Sequence, residues 1–515
     1  MIGSQTAAKL KETIEQEVLK VYGIQPEQIL TVTHDNGSNM IASVARLRDS
    51  LTEDEKPFMQ DEIRAVEAVY QVTESYRRID LAAMDEAMDD NENNNESADN
   101  DLSVEDESGI DCDSEENESE DILDDSEELM LEGTRCAAHT CQLAVWDVLK
   151  KHEAGINVVK KLVKMTRQSK YKEMFVEHKA SFAPISNATR WNAVYLMLKA
   201  LREQKPFYLM LENKFPELRF SKHWNFIDKF SRALEPLFFL SVSLQQKHVP
   251  LSEFYTQWLI CQAHLNAMKD NSVALKLLKA MEKRLSKLIG TIQFKASLYL
   301  DPRFNYIGSN RISISDKEAA QRFLLKLWHR LNVLDGRSES QEETYDGEDE
   351  VLESYLNNYF QKDSPCVEEE TTPSENSKVY QLLKELELRP KVPIITPAHF
   401  KPTSSISEPS TSSTKVSMMP TSKKEPFDIL RYWIAEEVRN PQMFRLAVVI
   451  YSAPSTQVSV ERAFSALKLI LTDHRQRLSD RRIQDIMVLK LNPELLPDVA
   501  KQLNLDMEAY VAELE

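Results

Sequence analysis

STQVSVERAFSALKLILTDHRQRLSDRRIQDIMVLKLN, residues 455–492, is the stretch on which the reading of this chain turns. It reads as two helices. In the first, Val460, Phe464, Leu467 and Leu471 recur at helical spacing and form one apolar stripe. Glu461 lies beside that stripe. A carboxylate at the rim of a core needs a partner, because burying an unpaired charge is costly. An arginine and a metal ion are both open as that partner. Thr472, Asp473 and His474 close the first helix. Ser479 is the expected N-cap of the second, whose inner face is Ile483, Ile486, Met487 and Leu491.

Upstream of this pair, FDILRYWIAEEV (427–438) and MFRLAVVIYSA (443–453) read as ordered helical lead-in. Before them, 336–425 is charged and then rich in Ser, Thr and Pro, as in KPTSSISEPSTSSTK. Such a composition reads as a linker, with one short helix expected over 379–386. From 200 to 334 the apolar periodicity is helical throughout, with short joins, which predicts an antiparallel bundle. Pro302, in SLYLDPRFN (297–305), should break the helix there.

At the other end, Thr6 to Gly23 reads as a helix stopped by its glycine. The β-branched run Ile29 to Thr33 predicts a buried strand, HDNGSNM (34–40) follows, and a helix is expected over 38–51. Asp35 therefore stands at the C-terminal end of a strand, where α/β folds keep their sites. It could equally cap the helix and make the turn. An amphipathic helix is expected over 53–76. The stretch 80–128 then holds 23 acidic residues and no Lys or Arg. It cannot bury enough apolar surface to fold and reads as a disordered insert, either simply solvated or a lure for a basic partner. Order resumes at Leu129. Cys136 and His139, three apart, are half of a zinc set, with Cys141 the one further ligand nearby where four are needed. In SNATRWNAVYLMLK (186–199), Trp191 reads as a core anchor and Arg190 as a carboxylate partner.

Several of these stretches carry one resemblance. S-x-x-V-S-V-E-R-A-F-S followed by T-D-H-R-Q-R-L-S is similar to the C-terminal signature of hAT-superfamily transposases and the host proteins descended from them. HDNGSNM, C-x-x-H, R-W and L-D-P-R-F resemble further motifs of that family, in the same order. The resemblance implies a ribonuclease-H-like fold interrupted by a large helical domain and closed by a C-terminal dimerisation region. It makes Asp35 and Glu461 the counterparts of the second Asp and the Glu of a D-D-E metal set, with Arg190 and Trp191 next to that site. It also implies subunit association through Val460, Phe464, Leu467, Leu471, Ile483 and Met487. The family's first Asp and first strands would lie upstream of Thr6, and no stretch resembles a BED-type zinc finger. An N-terminally truncated, catalytically inactive relative is therefore the expectation, with no cofactor. Mg²⁺ enters only under the alternative of an active transposase known from an incomplete gene.

Composition agrees with a helical chain of several units. Among 515 residues, 42% are hydrophobic and only 10 are Gly. The net charge of −20 comes from the acidic stretch alone. A nucleic-acid partner thus stays open, and Arg475, Arg477, Arg481 and Arg482 are candidates for phosphate contact or for ion pairs within their own face. Five scattered cysteines suit a reducing intracellular compartment, and no apolar run has transmembrane length. The resemblance points to the nucleus, with DNA or chromatin proteins as partners. The expected class is mainly α with a small α/β part: a partial ribonuclease-H-like segment at 1–79, the acidic insert at 80–128, the C-x-x-H and R-W segment at 129–205, the helical insertion domain at 206–335, the linker at 336–425, the dimerisation region at 426–495 and a tail at 496–515.

Overall fold

The computed structural model of the chain describes residues 6–50, 64, 66, 69–70, 131–185, 191–246, 248–336, 375–396, 426–471 and 478–492. The acidic stretch, most of the expected helix at 53–76, most of the linker and the tail lie outside them, as do Arg190, Arg475 and Arg477. The chain divides into two compact units.

The larger unit opens with α1 (Ala7–Thr13), capped by Thr6 Oγ1, which accepts the Lys9 amide at 3.4 Å. It continues through a π-helical stretch (Ile14–Leu19) into α2 (Lys20–Tyr22). Gly23, at φ +63°, takes the left-handed conformation that glycine alone adopts freely and stops the helix. Strand β1 (Thr31–His34) leads to helix α3 over 38–50. Strand β2 (Glu132–Arg135) pairs with β1 in parallel, with Thr31 opposite Glu132 and His34 opposite Arg135. Among the described residues this pair is the whole sheet. Gly133 is required in it: a Cβ there would stand 2.9 Å from both His34 Nε2 and Val44 Cγ1.

The helices α4 (Ala137–Leu149), α5 (Glu153–Met165), α6 (Ser169–Glu177), α7 (Trp191–Glu203), α8 (Lys205–Lys214), α9 (Trp224–Ser243), α10 (Leu251–Ala267), α11 (Ser272–Ile289) and α12 (Ile292–Tyr299) form the bundle. Central α9 touches α4, α7, α10 and α11. Its Ile227, Phe230, Leu234, Leu237 and Leu240 are buried at the helical spacing the sequence predicts. Helix α12 ends at Tyr299, just ahead of Pro302. There the fully buried Asp301 takes the Arg303 guanidinium through Nε at 3.0 Å and Nη2 at 2.7 Å, while Nη1 reaches Glu253 at 2.7 Å. The same guanidinium lies 5.2 Å from the Phe427 ring centroid, a cation–π contact.

Helix α13 (Ile314–Leu334) gives its second half to the smaller unit, and α14 (Glu375–Leu386) gives most of its length. In that unit Val66, Val69, Phe323, Leu324, Trp328, Val379 and Leu383 are buried. Tyr70 meets Tyr380 edge-on at 5.3 Å. The short helix expected over 379–386 is present within α14. Inside the stretch read as linker, residues 375–396 are ordered. The apolar repeat Val379, Leu383, Leu386 is buried, and beyond it Val392 donates its amide to Pro302 O at 3.3 Å. The Ser/Thr/Pro composition that suggested a linker belongs to 401–415, further along.

The C-terminal part of the larger unit comprises α15 (Ile429–Glu436), α16 (Pro441–Ser452), α17 (Val458–Ile470) and α18 (Asp480–Leu491). Trp433, Met443, Leu446 and Ile450 are buried. Ser479 caps α18 as expected, accepting the Arg482 amide at 3.4 Å. The protein is mainly α with a small parallel α/β part.

Candidate functional site

Two features of the C-terminal stretch meet the rest of the unit: a strap at 454–457, and the two helices it carries. The strap lies across the C-terminal end of the sheet. Thr33 Oγ1 donates to Pro454 O at 2.7 Å, and the Ala137 amide donates to Ser455 O at 2.9 Å. Gln457 donates twice, from Nε2 to Thr33 O at 2.8 Å and from its amide to Cys136 Sγ at 3.3 Å. Ser455 Oγ reaches Val249 O at 2.7 Å, and Arg462, one turn into α17, donates to Gln245 O. Sequence reading missed Gln457. A lone glutamine in a short loop carries no period and no motif signal.

The same sheet end holds the two carboxylates singled out from sequence. Asp35 follows β1 directly, and its Oδ1 accepts the Gly37 amide at 3.0 Å, the turn that opens α3. His34 is buried, with Nδ1 2.5 Å from Asp35 O. Burial holds its imidazole below the usual value against that hydrogen bond, and Arg135 adds to the lowering. Asn36 donates to Thr140 Oγ1 at 3.0 Å. Cys136 follows β2, and its amide donates to His34 O at 2.8 Å. Burial pushes the Cys136 thiol up, three backbone amides oppose the shift, and the charge of Glu461 adds to it. Glu461 is therefore within electrostatic reach of the sheet end, although its side chain on α17 is exposed.

Asp35 commits Oδ1 to a backbone amide, Glu461 faces solvent, and among the described residues no three His, Cys, Asp or Glu side chains are placed to hold an ion. Cys136 and His139 gain no third ligand from Cys141. That thiol is buried in the bundle, within electrostatic reach of Cys261, and burial pushes it up to about 12. Trp191 is buried at the start of α7.

The outer surface of α17 is a different kind of site. Val458, Ala466 and Ile470 are buried against the unit. The stripe read from the sequence points the other way: Val460 is 48% exposed, Phe464 66% and Leu471 43%, with Leu467 half-buried. On α18, Ile483 and Met487 are half-buried, while Ile486, Val488 and Leu491 are exposed. Glu461 is correspondingly not at the rim of a core. Arg481 and Arg482 are exposed at the start of α18. No helix among the described residues is long and apolar enough to cross a membrane.

Two family models match the chain. One, the ZBED1 RNase-like helical domain, covers residues 134–230, from the end of β2 into α9. The other, the hAT family C-terminal dimerisation region, covers 409–493 and takes in α15 to α18 with the strap. A search of curated proteins returned no match. The helix that follows β2 and the outward apolar stripe both fall inside matched spans, and over residues 409–493 the chain is similar to the hAT family's C-terminal dimerisation region.

Proposed function

We propose that this protein acts as a self-pairing scaffold, catalytically silent, that works in the nucleus beside DNA or chromatin proteins. The observation that carries the reading is the apolar row Val460, Phe464, Leu467 and Leu471, left uncovered on a helix whose opposite side is buried. Exposed apolar patches of this kind mark association surfaces. A two-fold arrangement lets one such row meet its own copy. Ile483 and Met487 of α18 flank the interface. Sedimentation velocity of the full chain tests the pairing: a dimer or larger species at micromolar concentration is expected, and a monomer there refutes it. Imaging of the tagged protein in cells tests the compartment, and exclusion from the nucleus refutes that part.

One observation favours a second reading. Asp35 stands at the C-terminal end of β1 and the charge of Glu461 reaches Cys136 at the end of β2, so two of the carboxylates that a metal-dependent strand-transfer enzyme would use lie toward one end of the sheet. Mg²⁺-dependent nicking of DNA that disappears in Glu461→Gln would establish it and end the silent-scaffold reading.

A further inference from the structure

Beyond α14 the chain turns at Leu388 and then runs without helix or strand through RPKVPIIT (389–396), inside the larger unit. Two prolines set its course. Each locks its own φ at about −65° and pushes the residue before it, Arg389 or Val392, away from the helical region. Polyproline II, with a period of roughly three residues, satisfies both restrictions. Burial follows that period. Arg389, Val392 and Ile395 are half-buried, whereas Pro390 and Pro393 are exposed, and so are Lys391 and Ile394. A three-sided rod thus lies with one side on its own protein and two sides facing out.

Backbone bonds seat the inner side. The Ile307 amide donates to Arg389 O at 3.1 Å, and the Val392 amide donates to Pro302 O at 3.3 Å. The Arg389 guanidinium is held below the rod, 5.5 Å from the Trp433 ring centroid and 3.8 Å from a Glu436 oxygen. Lys391 Nζ lies 5.2 Å from the Tyr306 ring centroid. The outer sides are less occupied. Among the described residues no backbone amide donates to the carbonyls of Pro390, Lys391 or Pro393. Two proline rings and an isoleucine therefore face water together, beside a lysine and open carbonyls.

We infer that residues 389–395 are a docking site for a protein whose groove is lined by aromatic side chains and rimmed by acids, the kind of groove that reads polyproline II. Aromatic rings pack on the proline faces, and their N–H and O–H groups donate to the open carbonyls. The rod is ordered before its partner arrives, so little conformational entropy is lost on binding. Lys391, between the two prolines, supplies the charge that an acidic rim meets. An added β-strand does not fit. Pro390 and Pro393 bring no N–H to the outer side, and a ladder there would lack those donors. Self-pairing is not involved, since the rod lies outside α17 and α18.

The test titrates the full chain into a panel of purified, fluorescently labelled SH3, WW and EVH1 domains. Wild type is compared with Pro390→Ala/Pro393→Ala and with Lys391→Glu. At least one domain should bind wild type at micromolar concentration. Each Pro→Ala change removes two CH₂ groups from the contact, so the double variant should bind that domain about a hundredfold more weakly. Lys391→Glu should weaken binding at low salt, and less so at high salt. Circular dichroism and sedimentation should be the same for all three chains, which separates this result from any failure of the pairing reading. Should the double variant misfold, the single changes at 390 and 393 must each weaken binding about tenfold. Binding by no domain, equal binding of wild type and the proline variants, or no effect of Lys391→Glu at low salt would each overturn the inference, the second by moving the contact to another part of the chain.

Discussion

Phe464→Ala tests the pairing surface most directly. The ring is 66% exposed in the single chain. A phenylalanine has roughly 150–250 Å² to bury, so about 100–160 Å² remains for a partner to cover. At about 25 cal/mol per Å² that is worth roughly 2.5–4 kcal/mol, and truncation to Ala, which keeps Cβ, forfeits about 2–3 kcal/mol of it. A two-fold interface contains the ring twice, so dimerisation weakens by about 4–6 kcal/mol, or roughly a thousandfold or more in Kd. Sedimentation equilibrium across nanomolar to micromolar concentration reads that shift. The melting of the monomer should barely move, because an exposed side chain contributes little to folding. Ile470→Ala, on the buried side of the same helix, should do the opposite: stability falls by about 2–5 kcal/mol. An unchanged dimer constant in Phe464→Ala, or a loss of monomer stability as large as that of Ile470→Ala, would refute the reasoning.

Three further outcomes follow from the fold. Arg303→Met strands the fully buried Asp301 without its cation and should cost about 3–5 kcal/mol in urea unfolding, with much of that recovered when Asp301→Asn is added. Gly133→Ala forces a Cβ onto His34 and Val44 and should cost about 1–3 kcal/mol, measured in the same way. The Cys141 thiol ionises at about 12 in the fold against 9.0 when unfolded. Because the folded value is the higher one, its contribution is complete below pH 9 and drains away as pH rises from 9 towards 12. Urea midpoints across that window should decline, and Cys141→Ala should flatten part of the decline.

Much of the architecture was legible because its signals are local. Val379 and Leu383, Phe230 and Leu234, and the cap at Ser479 follow from spacing and side-chain chemistry alone. Strand β2 was not, because Glu-Gly-Thr-Arg holds one β-branched residue and no apolar side chain; it is a strand only through its pairing with Thr31–His34. Periodicity found the row from Val460 to Leu471 but could not tell a face turned to the core from one turned outward, since both demand apolar residues. The carboxylates Asp35 and Glu461 were found by motif, yet their surroundings depend on Gly37, Cys136 and Gln457, which come together only in three dimensions. Arg303 entered the sequence reading only as part of a motif. Its bonds to Asp301 and Glu253 bring together residues that are about 50 positions apart in the chain.

The strap at 454–457 ties the tips of the strands to the root of α17 through a few hydrogen bonds. The pairing helix and the strand tips therefore share one mooring. Thermodynamic reciprocity then imposes a rule: a molecule that grips the strand tips and shifts Gln457 changes the affinity of one chain for another by the same factor that assembly changes its own grip.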